Sequence, residues 1–493
     1  MLHIWSFILF FPYFCKTDSQ IIMMKIKILL FAFLLMLPIV KASAQVLPTT
    51  EAANGFPWGK CYMYRLYLNN KNATEYKLNK PDRYLSEKAI ERRRRQHLAV
   101  DSTDLPIPQV YLRDIENMGV KIMSHSKWNN TVVVRVQDMN IINGLLALPF
   151  IDRAMKVWSS PDSLKEVHRV KCADKFSDND HNDGHYYGAG GAQIGLINGK
   201  PLHDAGFKGK GMTIAILDGG FMNADRMAMM KNIKILGSRD FVPVPTPSIF
   251  AETEHGTMVL SCMGMNKPEY FVGTAPEAEY WLLRSEDNAT ETLAEEDYWA
   301  AAVEFADSVG VDVVSSSLGY QDFDEEEMDH TYQELNGHTA LISRTASMLA
   351  RKGIIHVNSA GNDGMNVWKK INFPADATDI LAVGAVNMLK NNAAFSSVGP
   401  SDDGRVKPDV MALGSPAAVV DGRGVIGYNM GTSFSAPIIA GMVTCLWQAL
   451  PQKTAIEIMD LVRQSGSNYY TPNNVMGYGI PDFNKAWNVG KNN

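Results

Sequence analysis

Cysteine is scarce, with five in 493 residues. No Cys-x-x-Cys pair occurs, so a disulfide-dense scaffold is excluded and zinc or thioredoxin-type chemistry lacks its ligands. A cationic excess is missing too. Lys and Arg total 47 against 53 Asp and Glu, a formal net charge of −6. Nucleic-acid binding normally shows a basic domain or stripe, so that class is excluded. Long apolar runs are absent as well: the two early ones, residues 4–14 and 28–38, fall short of the ~20 residues a spanning helix needs. There is no internal repeat and no long low-complexity tract. What is present is 46% apolar and 20% charged residues, the composition of a globular protein with ample core. Length sets a soft expectation of about three domains.

The second apolar run has the anatomy of a secretory signal. Met24 starts it, Lys25 and Lys27 charge it, and Ala42-Ser43-Ala44 closes it. Residues 1–44 are therefore read as an export signal region cleaved after Ala44, with translation starting at Met23 or Met24. Cys15 sits in Pro-Tyr-Phe-Cys, without the small residues of a lipoprotein site. The product is expected outside the cytoplasm, periplasmic or extracellular, with no stable membrane span in its mature form. Of the remaining cysteines, Cys262 and Cys445 fall in apolar helical patterns and read as small core residues.

Residues 45–158 have a mixed texture. The segments 61–68 (CYMYRLYL) and 131–136 (TVVVRV) read as strands. Between them Ser86 is a helix N-cap, followed by Glu87 and, late in the helix, by Arg92–Arg95. That cationic run is read as a solvated face near the negative helix end. The region is expected to be a small α+β domain. Residues 159–190 turn polar and form a linker. Asp178, Asp180 and Asn182 alternate as in a calcium loop, but Asp183 stands where glycine is required and no glutamate closes the loop.

From residue 191 to 493 the texture becomes α/β. Apolar strands are predicted at 212–217 (MTIAIL), 280–284, 311–316, 354–358 and 380–386. Helices are predicted at 293–308 and 339–352, the latter ending on Gly353. Strands alternating with helices of this length predict a parallel, doubly wound sheet with helices on both faces.

In such sheets, working residues gather at the carboxyl ends of strands and at the helix starts that follow. The first strand delivers Asp218, followed by Gly219-Gly220. Glu254-His255-Gly256-Thr257 opens one apolar helix. Gly431-Thr432-Ser433 opens another, with Pro437 in or near its first turn, where a missing N–H costs least. The strand IIHVNS ends in Ala360-Gly361-Asn362-Asp363-Gly364, where the Asn362 amide can donate to an oxyanion beside the Ser433 backbone N–H. Taken singly, these are a turn, a helix entry, an N-cap and a loop asparagine. Together they are an acid, a base, an oxyanion donor and a nucleophile, the set that activates a hydroxyl at neutral pH.

With those residues in hand, residues 190–488 resemble a subtilisin-like serine protease, a subtilase. The chain order Asp…His…Ser is that of the subtilisin type. Phe373-Pro374-Ala375, Lys407-Pro408-Asp409-Val410 and the ending Gly477-Tyr478-Gly479-Ile480-Pro481-Asp482 match family stretches. The resemblance implies Asp218, His255 and Ser433 as catalytic triad and Asn362 with Ser433 as oxyanion hole. It also implies Ser316-Ser317-Leu318-Gly319 as the strand that pairs with an extended polypeptide substrate. Two positions depart from the family: Gly219 replaces the usual Ser or Thr, and Phe434-Ser435 replace the frequent Met-Ala. The resemblance further implies that residues 45–158 are a propeptide acting as intramolecular inhibitor and chaperone, removed by processing within 159–190. No cofactor is required for the chemistry; structural calcium is frequent in the family, but no ligand set is readable here. Two other readings stay open at this point: a catalytically silent subtilase-fold binding protein, and an esterase using the same nucleophile.

Overall fold

The computed structural model describes residues 58–161, 170–172 and 185–492. The export signal region with its Ala44 boundary, Cys15 and the acidic run 178–184 lie outside the described residues.

Tyr62–Leu68 (β1), Lys121–Ser126 (β2), Thr131–Val136 (β3) and Ile151–Ser159 (β4) form an antiparallel sheet in the order β2-β3-β1-β4. Side chains alternate across it. Leu66, Val132 and Val134 face a small core of this region's own, whereas Met63, Val133 and Val157 face the larger body of the protein. Helix Glu87–Arg95 (α1) starts where the sequence predicts, with the Ser86 hydroxyl accepting from the Ala89 N–H.

Seven further strands make a wholly parallel sheet. They are Thr213–Asp218 (β5), Lys234–Asp240 (β6), Glu279–Arg284 (β7), Val313–Ser316 (β8), Ile355–Ser359 (β9), Leu381–Asn387 (β10) and Val410–Ser415 (β11). Their order is β11-β10-β9-β8-β5-β7-β6. Every residue of β5 is buried, because both faces of the sheet are covered. Helices His255–Gly264 (α2) and Thr432–Ala449 (α4) share a core with Ile214 and Ile216. Ala294–Val309 (α3) covers the opposite face, packing Tyr298 and Trp299 with Ala215 and Leu217. The predicted α/β layering with a preceding α+β region is what the chain adopts. The edge strand β6 went unread because its residues KILGSRD are largely exposed and give no apolar run.

Two expectations are corrected. The helix predicted over 339–352 is broken into Leu341–Ala346 and a 3₁₀ turn, Ala350–Lys352, although Gly353 does close it at φ +81°. The Thr345 hydroxyl donates to the Leu341 carbonyl and the Ser347 hydroxyl reaches the Ser343 and Gly337 carbonyls, offering the backbone partners other than its own ladder. The Arg92–Arg95 run is only half solvated. Arg92 and Arg93 are buried. Arg92 pairs with Asp307 of α3 and donates to the Val311 carbonyl at 2.6 Å. Arg93 bridges Asp104 and Asp307, both at 2.8 Å. Cys262 and Cys445 are buried and unbridged, as read.

Candidate active site

The site assembles where β5, α2 and α4 end or begin. The carboxylate of Asp218, last residue of β5, is buried and accepts from the Gly219 N–H at 2.9 Å. His255, first residue of α2, places its Nδ1 2.9 and 3.1 Å from the two Asp218 oxygens. Helix and strand approach this closely because of Gly256: a Cβ there would lie 2.4 Å from the Gly220 carbonyl oxygen and 2.9 Å from Asp218 Cβ. Burial would lower the imidazole pKa, but the charge and hydrogen bond of Asp218, aided by Glu286, overcome it and raise His255 to about 9. The Phe434 ring lies tilted against the imidazole at 5.8 Å, so the departure at this position supplies packing for the base.

Ser433 is the second residue of α4. Pro437 sits one turn deeper than the sequence suggests and lacks the N–H that the Ser433 carbonyl would accept from. The Ser317 hydroxyl fills that role, donating to the Ser433 carbonyl at 2.8 Å. In return the Ser433 hydroxyl donates to the Ser317 carbonyl at 3.4 Å. On the other side, Asn362 Oδ1 accepts from the Thr432 N–H and hydroxyl, each at 3.0 Å. The amide is thereby oriented, with its Nδ2 left to donate.

Asp218, His255, Ser317, Leu318, Gly319, Asn362 and Ser433 line one cavity of about 400 Å³. Ser316 is not among them. It closes β8, fully buried, and its hydroxyl accepts from Trp299 Nε1 at 3.1 Å. Glu286 and Asn288 also line the cavity and were missed by the sequence reading. Asn288 accounts for the unusual Gly219: a Cβ at 219 would meet Asn288 Oδ1 at 2.7 Å, and Asn288 Nδ2 donates to the Gly219 carbonyl at 2.8 Å. Glu286 follows the end of β7; burial, and next the Asp218 charge, raise its carboxyl to about 7. The rule that working groups stand past the carboxyl ends of parallel strands was the available signal for both. Among the described residues no three His, Cys, Asp or Glu side chains converge as a metal site, and no helix is long and apolar enough to cross a membrane.

A family model described as "Subtilase family" matches residues 209–479, more than half of the chain. The chain belongs to the subtilase family. A second model, "Peptidase S8 propeptide domain, Bacteroidota", matches residues 63–172 of this subtilase. Among curated relatives, Subtilisin NAT of Bacillus subtilis subsp. natto is 27% identical over 284 residues, covering 56% of this subtilase and 67% of that protein. The subtilisin of Bacillus pumilus is 26% identical over 284 residues, covering 56% and 93%. The membrane-bound transcription factor site-1 protease of Rattus norvegicus is 28% identical over 264 residues, covering 52% and 22%. The subtilase is thus a serine endopeptidase carrying its own propeptide domain.

Proposed function

We propose that Asp218, His255 and Ser433 are the catalytic triad of this endopeptidase and that Asn362 Nδ2 and the Ser433 backbone N–H form its oxyanion hole. The observation that carries the reading is the 2.9 Å contact between His255 Nδ1 and a buried carboxylate, in the same cavity as Ser433. With Nδ1 held by Asp218, Nε2 is the nitrogen that takes the Ser433 proton as Oγ attacks the peptide carbonyl. Asp218 stabilises the imidazolium that results. The carbonyl oxygen gains charge and takes hydrogen bonds from Asn362 and Ser433; losing one such donor typically costs about 100- to 1000-fold in rate. His255 then returns the proton to the leaving amine, and water hydrolyses the acyl-enzyme by the same relay. Ser317, Leu318 and Gly319 supply the strand edge on which an extended polypeptide lies.

Residues 45–158 act as inhibitor and folding aid until the chain is cut within 159–190, freeing the catalytic domain 191–493. Supporting this, Val170 in the linker accepts from Asn223, just past Asp218, at 2.8 Å. Residues 1–44 direct export, with cleavage after Ala44. One experiment tests the whole: a fluorophosphonate probe is expected to label the exported chain, not its Ser433→Ala variant, and the labelled species should begin within 159–190. Absence of labelling in the processed form, or a labelled chain starting at Gln45, would sink the corresponding part.

A further inference from the structure

A second cavity, of about 340 Å³, adjoins the first, and the two share Gly319, Asp363 and Asn372. Asn372 is wedged between the segments that flank the nucleophile. A Cβ at Gly319 would lie 3.0 Å from its Cβ, and one at Gly361 3.0 Å from its Cγ. Its Nδ2 donates to Asp363 Oδ2 at 2.9 Å, while Asn366 Nδ2 holds the other oxygen at 2.8 Å. The residue is only 9% exposed, and its Oδ1 has no hydrogen-bond partner.

The remaining wall of the second cavity carries Asp322, Asp324 and Glu291, with no Lys, Arg or His. Among the described residues Asp322, Asp324 and Asp363 form no ion pair, and the carboxylates do not converge as a metal site. A buried acceptor without a donor, beside a carboxylate held only by two neutral amides, is a place that favours a cation rich in N–H groups. An apolar side chain entering here would strip water from the Asp363 carboxylate and leave Asn372 Oδ1 without a partner.

We propose that the joined cavities select a lysine or arginine side chain on the substrate residue whose carbonyl Ser433 attacks. This rests on the triad reading above and adds the substrate class to it. The oligopeptide enters along Gly319, and its cationic side chain reaches Asp363 and Asn372, with Asp322, Asp324 and Glu291 supplying a negative field behind them.

The test is kcat/KM on peptides differing only at that residue: lysine, arginine, citrulline, norleucine and glutamate. Lysine and arginine are expected to exceed norleucine and citrulline by about 10- to 100-fold, with the margin shrinking as salt rises. Asp363→Asn should bring the lysine-to-norleucine ratio down by a similar factor. Asp322→Asn with Asp324→Asn, both exposed, should lower it less. Equal or better turnover of norleucine by the wild type overturns the proposal, as does an unchanged ratio in both variants, while the triad stands if Ser433 takes the fluorophosphonate. A chain that cleaves no peptide and takes no probe overturns the triad reading and the pocket's role with it.

Discussion

His255 feels the charge of two carboxyl groups, and that decides how the enzyme answers to pH. Asp218 binds its Nδ1, and Glu286, which lines the same cavity, adds negative charge. A raised imidazole pKa means the proton stays on to higher pH, so the neutral base appears only as pH climbs through about 9. The acid limb of kcat/KM is therefore expected above the ordinary histidine range, near 6.5. Removing the Glu286 charge takes away one cause of the rise, so Glu286→Gln should move that limb to lower pH; an unmoved limb would show that Glu286 does not act on the base. The linkage to stability runs the same way. The Asp218–His255 contact contributes fully below about pH 6.5 and is lost as pH rises through about 9. At this scale the motif residues were legible, because each stands in a short pattern at an element's end. Glu286, Asn288 and Asn372 were not, because their roles come from what they face and not from their neighbours in the chain.

Helix α4 carries the nucleophile and also breaks its own ladder. Pro437 leaves the Ser433 carbonyl without an intrahelical donor, and the Ser317 hydroxyl supplies one from the adjacent strand edge. A residue read from sequence only as substrate-binding is thus also the anchor of the helix start. Ser317→Ala is expected to cost about 1–3 kcal/mol, the usual penalty for a buried acceptor left unmet, and Ser317→Thr to recover most of it. Denaturant unfolding in a Ser433→Ala background, where self-cleavage cannot intervene, measures this; equal midpoints for Ala and wild type would remove the anchoring role. Element boundaries show the same division between what is local and what is not. β5 and α3 were read nearly in full from apolar runs of the right period, whereas the helix at 339–352 broke where hydroxyls compete for its carbonyls.

For the molecule as a whole, the N-terminal sheet and α3 are joined by buried charge. Arg65 holds Asp297 with its Nε at 3.0 and 2.9 Å from the two carboxylate oxygens, and Arg92 and Arg93 both reach Asp307. Glu304 accepts from the backbone N–H groups of Lys127 and Trp128 at 2.9 and 3.0 Å. Burial would raise the Asp307 carboxyl, but the two guanidiniums overcome it and hold it below the usual carboxylate range. That contribution is present above the ordinary aspartate pKa and is lost as pH falls through the lowered one. Breaking such a pair strands a buried charge, at about 3–5 kcal/mol. Asp307→Ala, which leaves Arg92 without a carboxylate and Arg93 with Asp104 alone, is expected to lower the unfolding midpoint of the full chain and its yield of processed enzyme. A charge-free replacement of the Arg92–Asp307 pair, Arg92→Met with Asp307→Leu, which keeps Arg93 on Asp104, should recover much of that loss; stability unchanged by Asp307→Ala alone would show the network to be idle.

The sequence by itself determined the layer order, the strand that ends in Asp218, the helix starts at His255 and Ser433, and the Asn362 turn, because periodicity and short motifs are properties of neighbours along the chain. It also marked Gly219 and Phe434 as departures without accounting for them. Only the tertiary structure decided that Asn288 occupies the space above Gly219, that Phe434 packs on the imidazole, and that two of four arginines are buried against Asp307. It alone brought Asp363 and Asn372 to one wall of the cleft. Apart from Asp363 and Asn372, which are 9 positions apart, these pairings join residues tens to hundreds of positions apart, and no local pattern encodes which side chain fills the space another leaves. The scarcity of cysteine fits this outcome, since buried ion pairs and a shared apolar core join the N-terminal sheet to the larger body where no disulfide is formed among the described residues.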